Sequence, residues 1–167
     1  MGERHVSRGT RRSREFEAFV AGAAGRLLQS ATLLTAEAPD DNPRACRLLT
    51  VALAHTYARW DGLRGEDPYD AARQELAARY AHGAWCRGRV RGRAAGLLAP
   101  LTPQERLVVV LRLYEGVGEE QVAAQLGLPT ERIRLICDRA TALLLHPRRP
   151  RPAAPAPGAA GAEVAAS

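Results

Sequence analysis

Residues Leu101–Leu145, LTPQERLVVVLRLYEGVGEEQVAAQLGLPTERIRLICDRATALLL, decide the fold. The stretch opens with a complete helix start. Thr102 is placed to cap, Pro103 suits the first helical position with its fixed φ, and Glu105 stands where it bonds back to the cap. Leu107, Val110, Leu111 and Tyr114 then recur at the spacing of one buried helical face. Gly116 and Gly118 stop this helix. Glu119 and Glu120 begin a second, where carboxylates suit the positive end of the helix dipole. Val122 and Leu126 form its apolar side, with Ala123 between them. Gly127 ends it, in the left-handed conformation that glycine adopts at little cost. Thr130 is the expected cap of a third helix, along which Ile133, Cys137, Ala140 and Leu144 line the inner side.

Two short helices joined by a glycine turn of about four residues form a helix-turn-helix. Its second helix is the one such units offer to a DNA major groove. The outward side of that helix carries Glu131, Arg132, Arg134, Leu135, Asp138 and Arg139. Thr130, Glu131, Arg132, Arg134, Leu135 and Arg139 are the candidate DNA contacts. A plain three-helix packing unit is the other use of this pattern.

Upstream, apolar residues recur at helical spacing in three further segments. Phe16, Val20, Ala23 or Ala24, Leu27, Ala31 and Leu34 mark a helix starting near Glu15. Asn42 and Pro43 open a second that runs to about Trp60, with Leu49, Ala52, Leu53, Thr56 and Trp60 inward. Asp67 and Pro68 open a third, with Tyr69, Ala72, Leu76 and Tyr80 inward. The chain is therefore expected to be all-α, with two small helical domains. Residues 1–14 read as a disordered arginine-rich arm, 15–85 as a three-helix bundle and 86–100 as a flexible Arg/Gly-rich linker. Residues 101–146 form the helix-turn-helix domain, and 147–167 read as a disordered Pro/Ala tail.

The chain has 167 residues and a formal charge of +6, with arginine as its sole cation besides histidine. Both expected folded units are slightly acidic, so the basic excess lies in the arm, the linker and the tail. A nucleic-acid-binding protein concentrates its cations on one face, and here that requires the segments between and beyond the units. No run approaches the roughly 18 apolar residues of a membrane span, and no apolar stretch follows the charged N-terminus as in a leader. Three widely spaced cysteines, Cys46, Cys86 and Cys137, do not make a disulfide framework. A cytoplasmic protein is expected. His82 and Cys86 offer two metal ligands where a site needs three or four, so no metal or cofactor is expected. Without lysine there is no glycine-lysine phosphate loop, and no nucleophile motif is present. The protein is not expected to be an enzyme.

The order of these features resembles the extracytoplasmic-function group of sigma-70 family sigma factors, in its short two-domain form. LTPQERLVVVLRLYEGVGEEQVAAQLGLPTERIR follows the apolar frame of that family's region four. FEAFVAGAAGRLLQSATLLT, ALAHTYARW and EDPYDAARQEL follow the order and spacing of region two. The resemblance covers roughly residues 15–145. It implies core RNA polymerase and promoter DNA as partners, with an anti-sigma factor as a further one and no membrane. It implies that region two grips the polymerase clamp and melts the promoter, and that region four reads the upstream element.

Carried onto this chain, the clamp-contacting candidates are Arg47, Leu48 and Thr50, and the melting candidates are Arg79, Tyr80 and Trp85. Where the family has an acidic pair and a glutamine, this chain has Cys46, Arg47 and Thr50. Where it has a small polar residue and a base after the position of Arg134, this chain has Leu135 and Ile136. Those departures support an alternative, a degenerate sigma-like module that acts by protein–protein contact without promoter recognition.

Overall fold

A computed structural model describes residues 2–63, 65–86 and 95–146, without the side chains of residues 2–8, Trp85 and Cys86. The helices are α1 (Gly2–Thr35), α2 (Pro43–Ala58), α3 (Pro68–Cys86), α4 (Pro103–Val109), α5 (Glu119–Leu126) and α6 (Thr130–Leu145). One 3₁₀ turn, Trp60–Gly62, follows α2, and α4 runs on as a π-helical turn over Val110–Tyr114. The all-α expectation holds. No helix among the described residues is long and apolar enough to cross a membrane.

The N-terminal unit is α1, α2 and α3. Ala23, Leu27, Ala31 and Leu34 are spaced by three or four residues and are buried along α1. They share a core with Ala45, Leu49 and Ala52 of α2 and Ala72, Leu76 and Ala77 of α3. Alternating alanine with leucine lets three helices approach closely without voids. Residues 2–14, expected to be disordered, are instead the first turns of α1. The reason is an aromatic cluster at that end. Phe16 meets Tyr57 at 4.8 Å and Trp60 edge-on at 5.0 Å. The Arg12 guanidinium lies 4.4 Å above the Tyr57 ring, donates to the Tyr57 carbonyl and reaches Asp61 at 3.3 Å. A side chain with three such contacts holds the helix one turn upstream of Phe16.

The entry to α2 is capped by a residue outside it. Asn42 occupies the cap position but makes no capping bond. The buried Glu37 carboxylate instead accepts from the Ala45 N–H at 2.8 Å, the Arg44 N–H at 3.1 Å and Arg44 Nε at 2.9 Å. Burial pushes this carboxyl upward, but the Arg44 guanidinium, the two backbone N–H groups and the Thr35 hydroxyl outweigh it and hold its pKa below the ordinary value.

In the C-terminal unit, Thr102 and Glu105 form the expected capping box, with Thr102 N–H donating to Glu105 at 2.8 Å. Tyr114 was expected on the buried face and is exposed. The π-helical turn adds a residue to the last turn of this helix, so Val110 and Leu111 stay inside while Leu113 and Tyr114 swing out. Gly127 has φ +64, and the Gly127 and Leu128 N–H groups both donate to the Ala123 carbonyl, closing α5 as expected. The cap of α6 is Pro129, which places Thr130 at the first helical position with no capping bond.

Both helical units are present and they pack on each other. Leu98, Leu101, Leu107 and Val108 join the core that also holds the α1–α3 residues. Ala95–Pro100, within the expected linker, is docked: Ala95 and Gly96 N–H both donate to the Ala36 carbonyl at 3.0 Å. Residues 87–94 and 147–167 lie outside the described residues.

Candidate nucleic-acid interface

The outward face of α6 follows from what its inner face must bury. Ile133, Ile136 and Ala140 are buried against α4 and α5, so Glu131, Arg132, Leu135, Asp138 and Arg139 point away from the core and are exposed. Ile136 therefore belongs to the core, and of this pair it is Leu135 that carries apolar character outward, with 61% exposure. Cys137, expected inside, is half-buried, and burial raises its thiol pKa. A one-residue phase shift of the stripe accounts for both, because Ile136 and Cys137 lie 100° apart on the helix.

Two of the three arginines on this helix are held from within the unit. Arg134 donates to Glu119 at 3.0 Å, and Glu119 also faces Arg112 at 3.6 Å. Arg139 reaches the capping-box carboxylate Glu105 at 3.3 Å. These pairs fix α6 against the starts of α5 and α4, and both guanidinium groups remain more than half exposed. The cations are exposed but their carboxylates are not, Glu119 at 21% and Glu105 at 9%, so a phosphate that draws off Arg134 or Arg139 leaves a largely buried carboxylate with one partner fewer. The local field is nearly neutral, and affinity for a polyanion must draw on Arg132, Arg134 and Arg139 together.

The two groups of region-two candidates differ in accessibility. Arg47 and Thr50 are exposed on α2, where the Thr50 hydroxyl donates to the Cys46 carbonyl at 2.8 Å. Leu48 is half-buried against the core. On α3, Arg79 donates to Glu75 at 2.6 Å and lies 3.1 Å from His55 Nδ1. Tyr80 is half-buried, and burial raises its pKa despite the nearby Arg106 guanidinium. Its ring lies at the junction with α4 rather than in solvent. Trp85 belongs to α3, and its side chain lies outside the described residues. The structure thus groups Arg79 and Tyr80 on one helix and the clamp candidates on another.

Sequence reasoning missed Glu115. It follows the π-helical turn, yet its side chain is only 1% exposed. It accepts hydrogen bonds from the Ser30 hydroxyl and, at 3.0 Å, from the Tyr69 hydroxyl, and it faces Arg26 at 3.3 Å. Burial, then the bond to Glu115, raises the Tyr69 pKa strongly. A carboxylate just before a glycine reads as solvated turn chemistry, and its partners lie 46 and 85 residues away.

Comparison with known proteins places these elements. The family model for sigma-70, region 4 matches residues 97–144, which is the docked segment together with α4–α6. An RNA polymerase sigma-E factor from Streptomyces avermitilis is 30% identical over 153 residues, covering 78% of this chain and 83% of the relative. Its namesake from Streptomyces coelicolor is 29% identical over the same length, covering 78% and 84%. No solved structure matches the chain.

Proposed function

Because the chain belongs to the extracytoplasmic-function group of RNA polymerase sigma factors, a family of transcription initiation proteins, we propose that it binds core RNA polymerase and directs it to promoter DNA. The observation that carries this reading is the helix-turn-helix of α5 and α6. Its frame is complete, and its outer helix exposes Arg132 and Arg139 about 20° apart at one edge of its outward half and Arg134 at the other. Arginine suits both phosphate and the acceptor edge of guanine, and the apolar Leu135 between them suits a thymine methyl. In this reading α6 reads the upstream element. Arg47, Leu48 and Thr50 on α2 meet the polymerase clamp, and Arg79, Tyr80 and Trp85 on α3 take the melted strand. Stacking on an aromatic ring is the chemistry that holds an unpaired base.

The test is reconstitution of the full chain with core polymerase and a library of promoter fragments. A stable complex and transcripts that start downstream of one common pair of elements are expected. A chain that neither joins core polymerase nor selects any promoter overturns the reading.

A second reading has its own support. Leu135 is a large exposed apolar side chain on the helix that would enter the groove, and Arg134 and Arg139 are already paired with carboxylates. A module that binds a protein partner, an anti-sigma factor or one polymerase surface, uses such a face without promoter recognition. Leu135→Ser separates the two. Promoter binding that appears only in the variant favours the module, whereas specific binding by the unaltered chain favours the initiation factor.

A further inference from the structure

We propose that Glu115 is a latch that holds the two helical units closed and keeps Tyr80 out of reach of single-stranded nucleic acid. The Glu115 carboxylate comes from the C-terminal unit, while the described groups that bind it, Arg26, Ser30 and Tyr69, all belong to the N-terminal unit. Arg26 also lies 5.2 Å over the Tyr69 ring, so its charge and the phenol are organised around the same carboxylate. The carboxylate is buried while Arg26 stays half exposed, so removing its partners leaves a buried charge unpaired, and a contact costly to break on one side suits a registering or switching element.

Leu98, Leu101, Leu107 and Val108 are buried in the seam, but its edge beside Tyr80 is open. A cleft of about 120 Å³ remains between Tyr80, Ala81 and Ala84 of α3 and Pro103, Leu107, Leu126 and Leu128 of the C-terminal unit. The Tyr80 hydroxyl is buried there beside the Arg106 guanidinium, without a well-formed hydrogen bond to it. A polar group buried unsatisfied and a cleft left unfilled both favour separation. The Glu115 cluster is therefore the polar tie that sets closure beside the buried apolar contacts of Leu98, Leu101, Leu107 and Val108, and the ring it covers is the one described aromatic side chain among the melting candidates. The role assigned to Tyr80 rests on the promoter-binding reading above; the latch itself does not.

The experiment compares the full-length chain with Glu115→Lys, and separately with the double variant Arg26→Ala/Tyr69→Phe, which leaves the C-terminal unit untouched. Small-angle scattering and hydrogen exchange over residues 76–84 and 103–109 report closure without any nucleic acid. Both variants are expected to show a larger radius of gyration and at least tenfold faster exchange in these segments, with helix content unchanged. A fluorescent single-stranded oligonucleotide is then expected to bind each variant at least fivefold more tightly than the parent, and adding Tyr80→Ala should cancel the gain. If the double variant stays as compact and protected as the parent, the latch is refuted, even where Glu115→Lys simply unfolds. If the variants open without gaining oligonucleotide affinity, the shielding of Tyr80 is refuted. Reconstitution with core polymerase is scored separately, so a chain that opens as expected yet never joins polymerase counts against the sigma-factor reading and leaves the latch standing.

Discussion

Glu37 shows how much one side chain decides at the residue scale. It is 8% exposed and ties the end of α1 to the first turn of α2. Its pKa is lowered in the folded chain, so its stabilising contribution is complete above the ordinary carboxylate range. That contribution is lost as pH falls through the lower folded value. Glu37→Gln is expected to cost about 1–3 kcal/mol near neutral pH, the range for bonds to a charged group. It should also flatten the acid side of the stability profile, as read from urea midpoints across pH. None of this was legible in the sequence, where residues 35–41 look like an ordinary polar turn. The groups that need Glu37 are backbone N–H groups seven and eight positions on, and no residue type announces them. Leu135 and Ile136 make the complementary case. Leu135→Ser should change stability by no more than about 0.5 kcal/mol. Ile136→Arg buries a charge at a site 6% exposed and should cost about 3–5 kcal/mol by the same denaturation measurement.

Single elements were most legible where their signals are local. The Thr102–Glu105 box and the Gly127 stop are written within three or four residues, and the structure contains both. The π-helical turn was not legible, because VVVLRLY is apolar along most of its length and several helical registers bury it equally well. The start of α1 escaped for a different reason: an arginine-rich arm lacks an apolar stripe, and its support comes from Tyr57 on another helix. For α6 the sequence placed Arg132, Arg134 and Arg139 outward, as they are, but not the carboxylates that meet two of them. Glu119 is the informative one, since it restrains Arg134 from α5. Glu119→Ala should free a cation for phosphate. Binding of α6 to duplex DNA is then expected to tighten, with the log–log salt dependence steeper by about one unit. An unchanged slope in a salt titration would show that freeing Arg134 adds no phosphate contact.

Across the whole molecule, the packing of the two units on each other was out of reach of the sequence. Helical periodicity shows which side of a helix is buried but not against which unit, as with Ser30, Tyr69 and Leu107, and other joining contacts fall on residues that read as turn or linker. Gly96 is the clearest of these. A Cβ there would stand 2.6 Å from the Glu37 carbonyl oxygen and 3.0 Å from the Ala36 carbonyl carbon, so the backbones touch because there is no side chain. Gly96→Ala is expected to cost about 1–3 kcal/mol, as overpacking does, and to accelerate exchange of the Ala95 and Gly96 amides before any other region. The same contact sets a length. Measured from the end of α3, the connector to Leu101 spans fifteen residues and would reach ~50 Å fully extended, but from a point pinned at Ala95 only six remain, or ~20 Å. On the proposed reading, while Gly96 stays seated the distance between two DNA elements that the chain can bridge is measured by that short ruler, and the arginine-rich stretch before it adds charge but no reach.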